Sequence, residues 1–136
     1  MKKHLPLLIS FAFLSCGSDD DTPDAPSSTY SISVTASSNR DYTLVGTDAN
    51  GEVSGNDPSI TISQGETISF SVNAAGHPFY IKTVQGAGTD NQATGINSSY
   101  PNGATNGVVS WTPTTAGTYY YQCSAHNGMY GTITVQ

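Results

Sequence analysis

Three side chains that bind soft metal ions fall close together near the end of the chain. Cys123, His126 and Met129 bring a thiol, an imidazole and a thioether at C-x2-H-x2-M spacing. That spacing puts three donor atoms on one tight loop, close enough to converge on a single ion. A thiolate and an imidazole with a weak thioether suit copper. A trigonal His2Cys set with a long axial Met is the arrangement used for single-electron transfer at copper. The loop alone lacks the second imidazole.

An inventory of donors supplies it. Histidine occurs at 4, 77 and 126, cysteine at 16 and 123, and methionine at 1 and 129. If residues 1–15 are removed as a signal peptide, His4 and Met1 go with them and Cys16 becomes the N-terminus. The remaining histidine outside the loop is His77, in Gly76-His77-Pro78-Phe79-Tyr80-Ile81. Each of these residues has a plainer role open to it. A lone cysteine in a β protein is usually a small buried hydrophobe, a lone histidine a satisfied polar group, and Met129 simple packing. The plain reading must hold at all four positions at once.

Donors from two distant segments need a rigid frame, and the intervening sequence reads as strands. At 136 residues the chain has room for one domain. Charged residues make up 10%, while Gly, Ser, Thr, Asn and Tyr abound, a mix that favours an all-β domain rich in turns. Apolar and polar residues alternate over 30–36, 59–62 and 67–72, with shorter strands at 42–45, 79–81 and 108–111. Asn50-Gly51 signals a hairpin whose return arm is 52–54. Residues 118–122 lead into the metal loop, and a β-branched strand follows Gly131. The count is seven to nine short strands and no credible helix, which means a sandwich or barrel. Trp111 is expected in the core, and Tyr119, Tyr120 and Tyr121 should face alternate sides of their strand.

Residues 85–106 are polar and rich in Gly and Asn, and predict a long surface loop with a role of its own. No GK[ST] accompanies the glycines, so this is not a phosphate loop. The net charge is −6, and only Arg40 and Lys82 remain as cations beyond the signal. Nucleic acid is thereby excluded as a partner.

The N-terminus reads as an export signal. Met1-Lys2-Lys3-His4 is basic, and Leu5 to Leu14 is apolar but too short to span a bilayer. Phe13-Leu14-Ser15-Cys16-Gly17 resembles the lipobox of bacterial lipoproteins, which implies lipid on Cys16, with Leu14 one place nearer the cysteine than usual. A plain secretory signal is the alternative, as is a Cys16–Cys123 disulfide in an exported protein. Ser18-Asp19-Asp20-Asp21 resembles the acidic surface-export signal of some such lipoproteins, or is a solvated linker. Residues 16–28 then form a flexible acidic tether, and 29–136 the domain. The expected location is the outer membrane, facing the periplasm or the cell surface.

The order of features resembles the cupredoxins, the small blue copper proteins of the plastocyanin and amicyanin kind. A strand–turn–strand over 60–70, a histidine shortly after it, and Tyr-x-Tyr-x-Cys-x2-His followed by Met-x-Gly carry the likeness. It covers roughly residues 58–136 with 85–106 as an insertion; the strands at 30–55 read as an extra N-terminal segment. The resemblance implies a Greek-key β-sandwich or barrel holding one type 1 copper. It makes His77 and His126 the imidazole ligands, Cys123 the thiolate and Met129 the axial thioether. It also implies a monomeric one-electron carrier serving a redox partner protein, not an enzyme. Pro78 stands where many members have asparagine, and Ser124-Ala125 where a proline often precedes the histidine. Two other functions stay open: copper storage or delivery, and a metal-free surface sandwich that binds a partner. An oxidase would need further histidines.

Overall fold

The computed structural model describes residues 29–97 and 101–136; the signal, Cys16 and the tether lie outside them. Among the described residues there are nine strands and no helix. They are β1 (Thr29–Thr35), β2 (Thr43–Asp48), β3 (Gly51–Asn56), β4 (Ile60–Ile62), β5 (Thr67–Asn73), β6 (Phe79–Lys82), β7 (Asn106–Trp111), β8 (Gly117–Cys123) and β9 (Tyr130–Val135). Five form a sheet in the order β3-β2-β1-β5-β7, and four form a second in the order β4-β9-β8-β6. Between β3 and β8 the chain passes from one sheet to the other at every connection.

Alternation explains why the sheets stack. In β1, Ile32 and Val34 are fully buried while Ser31, Ser33 and Thr35 are exposed. Period-two side chains put one apolar face of each sheet inward. Ile68 and Phe70 from one sheet and Ile81 and Ile133 from the other belong to the shared core. Trp111 is fully buried, and its indole N–H donates to the Thr94 carbonyl at 2.8 Å.

The strands at 30–55 are not an addition to the fold. β1 is the middle of its sheet, antiparallel to β2 and parallel to β5. Without Ile32 and Val34 the core would lose its central row, so the segment is integral. The 48–54 hairpin forms, but Asp48 pairs with Gly51, leaving Ala49 and Asn50 at the tip. Gly51 sits just beyond it at φ 118°, a conformation that glycine tolerates. The Asp48 carboxylate accepts the N–H groups of Asn50 and Thr61, at 2.8 and 2.7 Å.

Residues 85–97 and 101–106 are tied to the sheets more closely than their composition suggests. β6 is an edge strand, and edges with unpaired backbone groups need covering. Gln92 bridges Lys82, Ala104 bridges Phe79, and the Asn102 amide satisfies both the N–H and the carbonyl of Ile81. Ile96 bridges Trp111 on the other sheet.

At the base of the hairpin the Asp57 carboxylate accepts the Tyr42 N–H at 2.9 Å, and the Asp57 N–H donates to the Tyr42 carbonyl at 2.8 Å. Burial raises the Asp57 carboxyl from 3.8 to about 6; the Tyr42 N–H opposes the rise and the neighbouring Asp41 charge adds to it. A carboxyl whose folded pKa is raised contributes stability below its unfolded pKa and loses it as pH climbs through the folded value. Between about pH 4 and 6 the protein should therefore weaken relative to Asp57→Asn, whose amide oxygen keeps the Tyr42 bond. The gain of the variant at neutral pH should be on the order of 1 kcal/mol after allowance for solvent screening. Urea unfolding of both proteins across this range checks it; parallel pH curves would show that Asp57 ionises freely.

Candidate metal centre

The centre forms at one end of the sandwich, where β5 and β8 leave and β6 and β9 enter. After β5 the chain turns through Ala74, whose carbonyl accepts the His77 N–H at 3.0 Å. The fully buried Tyr42 reaches across and donates its hydroxyl to the His77 carbonyl at 2.9 Å. His77 is thus fixed by its backbone on both sides. β6 then pairs with β8 in a register that sets Phe79 opposite Cys123, which brings the two donor segments side by side. The Ser124 N–H donates to the Pro78 carbonyl at 3.2 Å and joins them. The two positions that depart from the cupredoxin pattern, Pro78 and the Ser124-Ala125 pair, meet at this bond.

The metal loop closes on itself. The Cys123 N–H donates to the Met129 carbonyl at 2.9 Å, and the Met129 N–H to the His126 carbonyl at 3.2 Å. In this turn the Cys123 sulfur lies 3.5 Å from Nδ1 of His126 and 3.9 Å from Nδ1 of His77. The donor atoms of all three residues lie within 4.8 Å of one another. The two imidazole rings are 5.0 Å apart at 40°. Cys123 is fully buried with a free thiol, and both histidines are half-buried. Met129, the fourth residue expected from the sequence, is fully buried in the same core cluster as Cys123.

These donors fit a transition ion. With metal–sulfur and metal–nitrogen bonds of about 2.3 and 2.05 Å at 120°, sulfur and nitrogen would be about 3.8 Å apart; the two observed separations bracket that value. Among the described residues no carboxylate joins the group, and a sulfur–nitrogen set without oxygen selects soft or borderline metals. Burial, aided by the nearby Cys123 thiol, pushes the Tyr42 phenol well above its usual range. Tyr42 therefore stays a neutral donor beside the site.

Two contributors went unnoticed in the sequence. Tyr42 stands on a segment far from the loop, and only the fold brings it to His77. Gln122 is fully buried, and its amide contacts the carbonyls of Cys123, His126 and Met129. Strict alternation with Tyr121 and Cys123 assigns Gln122 to the outer face, with no hint that a loop covers it.

A two-sheet sandwich with one buried thiol and two imidazoles at its end defines a mononuclear, sulfur- and nitrogen-donating metalloprotein. Residues 41–136 match the family of copper binding proteins of the plastocyanin/azurin kind, and the chain belongs to that family. It is a cupredoxin, a carrier of single electrons on one type 1 copper that serves redox partners. Among solved structures it is similar to rusticyanin from Thiobacillus ferrooxidans, at 23% identity over 79% of this chain and 77% of that one, with a TM-score of 0.51. A histidine-substituted rusticyanin gives 24% identity over 79% and 78%, with a TM-score of 0.51. These likenesses concern the fold. No curated protein sequence matches the chain.

Proposed function

We propose that His77, Cys123, His126 and Met129 hold the copper of a one-electron carrier with no catalytic activity of its own. The observation that supports it most is the placement of the Cys123 sulfur between two imidazole nitrogens, all within 4.8 Å. When bound, copper supplies a change of one unit in oxidation state. The chain's part is to hold its donors still, because rearranging ligands would slow electron transfer. His77 is braced by Ala74 and Tyr42, and the loop by its own backbone bonds. Cys123 and Met129 are sealed from water, while the half-buried histidines His77 and His126 lie between them and solvent. Delivery would call for a more open or thiol-rich site, and Cys123 is the one thiol among the described residues.

Cyclic voltammetry of the copper form beside competition with a Cu(I) chelator separates the two roles. A carrier should give reversible one-electron waves and lose copper slowly; irreversible waves with rapid transfer to the chelator would favour delivery.

The same reading includes attachment to the outer membrane through lipid on Cys16, a monomeric domain, and a protein redox partner. The lipobox-like Leu14-Ser15-Cys16-Gly17 supports the attachment. Cys16→Ala should release the protein from membranes or leave an unprocessed precursor, with the copper spectrum unchanged. Unaltered mass and fractionation would remove the lipid assignment.

A further inference from the structure

We propose that Gln122 is the positioning residue of the metal loop, a single buried amide that sets the geometry of Cys123, His126 and Met129 together. The inference rests on the ligand assignment above and extends it to a residue that does not touch the metal.

The contacts are specific to the amide. Its nitrogen lies 2.9 Å from the Cys123 carbonyl, 2.9 Å from that of His126, 3.2 Å from that of Met129 and 3.5 Å from that of Asn127. Its oxygen accepts the Gln85 side-chain amide at 3.1 Å and the Gly86 N–H at 3.2 Å. Four acceptors surround the nitrogen and two donors the oxygen, so only one orientation of the amide is possible. The three metal-loop residues expected to bind copper all turn their carbonyls to this one group. Converging carbonyls repel one another, and buried carbonyls without a donor are costly. The amide's two N–H groups, shared among these carbonyls, offset the repulsion and add to the backbone donors that the Met129 and His126 carbonyls already have from Cys123 and Met129.

Gln122 is in turn held from outside. The Gln85 side chain also donates to the Asn127 carbonyl at 2.8 Å, and the Ala87 N–H to the Asn127 side-chain oxygen at 3.1 Å. The Gly88 N–H donates to the Ser124 carbonyl at 2.8 Å. Lys82 is 2% exposed, and its ammonium donates to the carbonyls of Gly86 and Gly88 at 2.6 and 3.1 Å. A buried cation on a β-strand thus clamps residues 86–88, and that segment closes over Gln122. The polar stretch after β6 acts here as a brace for the metal loop.

The test compares wild type with Gln122→Met and Gln85→Ala in the full chain, with and without copper(II). Amide hydrogen exchange is followed in the metal-free proteins at Cys123, Ser124 and Met129, and at β1 and β5 as reference. Gln122→Met should speed the loop amides about tenfold relative to the reference strands, the factor implied by losing an ordinary buried hydrogen bond. Its copper form should show an altered thiolate band and copper hyperfine splitting. Gln85→Ala, which removes one donor to Gln122 and leaves the core intact, should act in the same direction more weakly, and decides the matter if Gln122→Met does not fold. Loop exchange at wild-type rates in the folded variants, or uniform acceleration of all strands, would overturn the proposal. If wild type itself shows no thiolate band, the ligand assignment falls, while the exchange result still judges Gln122.

Discussion

Cys123→Ser should yield a folded, colourless protein. The intense visible band of a type 1 site is thiolate-to-copper charge transfer, and Cys123 carries the one thiol among the described residues. A hydroxyl is too weak an acid to become the anionic ligand that a thiol supplies. The fold should survive, because serine is no larger and its hydroxyl can bond to either neighbouring imidazole nitrogen. The loss should be limited to about 1–2 kcal/mol. Absorbance of the copper(II)-treated variant, beside its β-sheet circular dichroism, checks both halves. A surviving blue band would mean that copper binds elsewhere.

The second large effect is expected at a residue of β9 that binds no metal, two places beyond Met129. Gly131 on β9 pairs with Tyr121 on β8, whose ring lies across it. A methyl group at position 131 would sit 2.1 Å from both Cζ and the hydroxyl oxygen of Tyr121. The ring has nowhere to retreat. It is fully buried, stacked on Phe79 at 5.6 Å and 13°, and its hydroxyl donates to the Pro58 carbonyl at 2.6 Å. Overpacking a tight core typically costs 1–3 kcal/mol, and a pinned aromatic belongs at the top of that range or above it. Gly131→Ala should therefore lower the melting temperature by roughly 10–20 °C for a domain of this size. A shift of only a degree or two would show that β8 and β9 can slide apart there.

Much of the site was legible because the donors are scarce. His77, Cys123, His126 and Met129 could be found by inventory, since few alternatives compete with them. The strands were legible because Ile32, Val34, Ile68, Phe70, Ile60 and Ile62 alternate with small polar residues. Alternation names the buried face of a strand but not its neighbours. Nothing local in 30–36 reveals that β1 sits in the centre of its sheet, parallel to β5. Covering by a distant loop is equally invisible: Lys82 and Gln122 read as outward-facing polar residues, yet both are buried. The polarity of 85–106 suggested a free surface loop because side chains such as Asn102 spend their polarity on backbone groups of β6, which only the fold reveals.

The parallel pairing of β1 with β5 also fixes the domain's polarity as an object in space. Thr29 pairs with Thr67 at the start of β5, whereas His77 follows shortly after that strand ends at Asn73. Seven residues of strand, roughly 23 Å at about 3.3 Å each, separate the two poles. Whatever lies upstream of Thr29 joins the domain at the pole opposite the copper donors. A tether entering at Thr29 would leave the donor end as the pole farthest from it. A visiting molecule would then meet His126 at the pole away from the chain's entry into the domain.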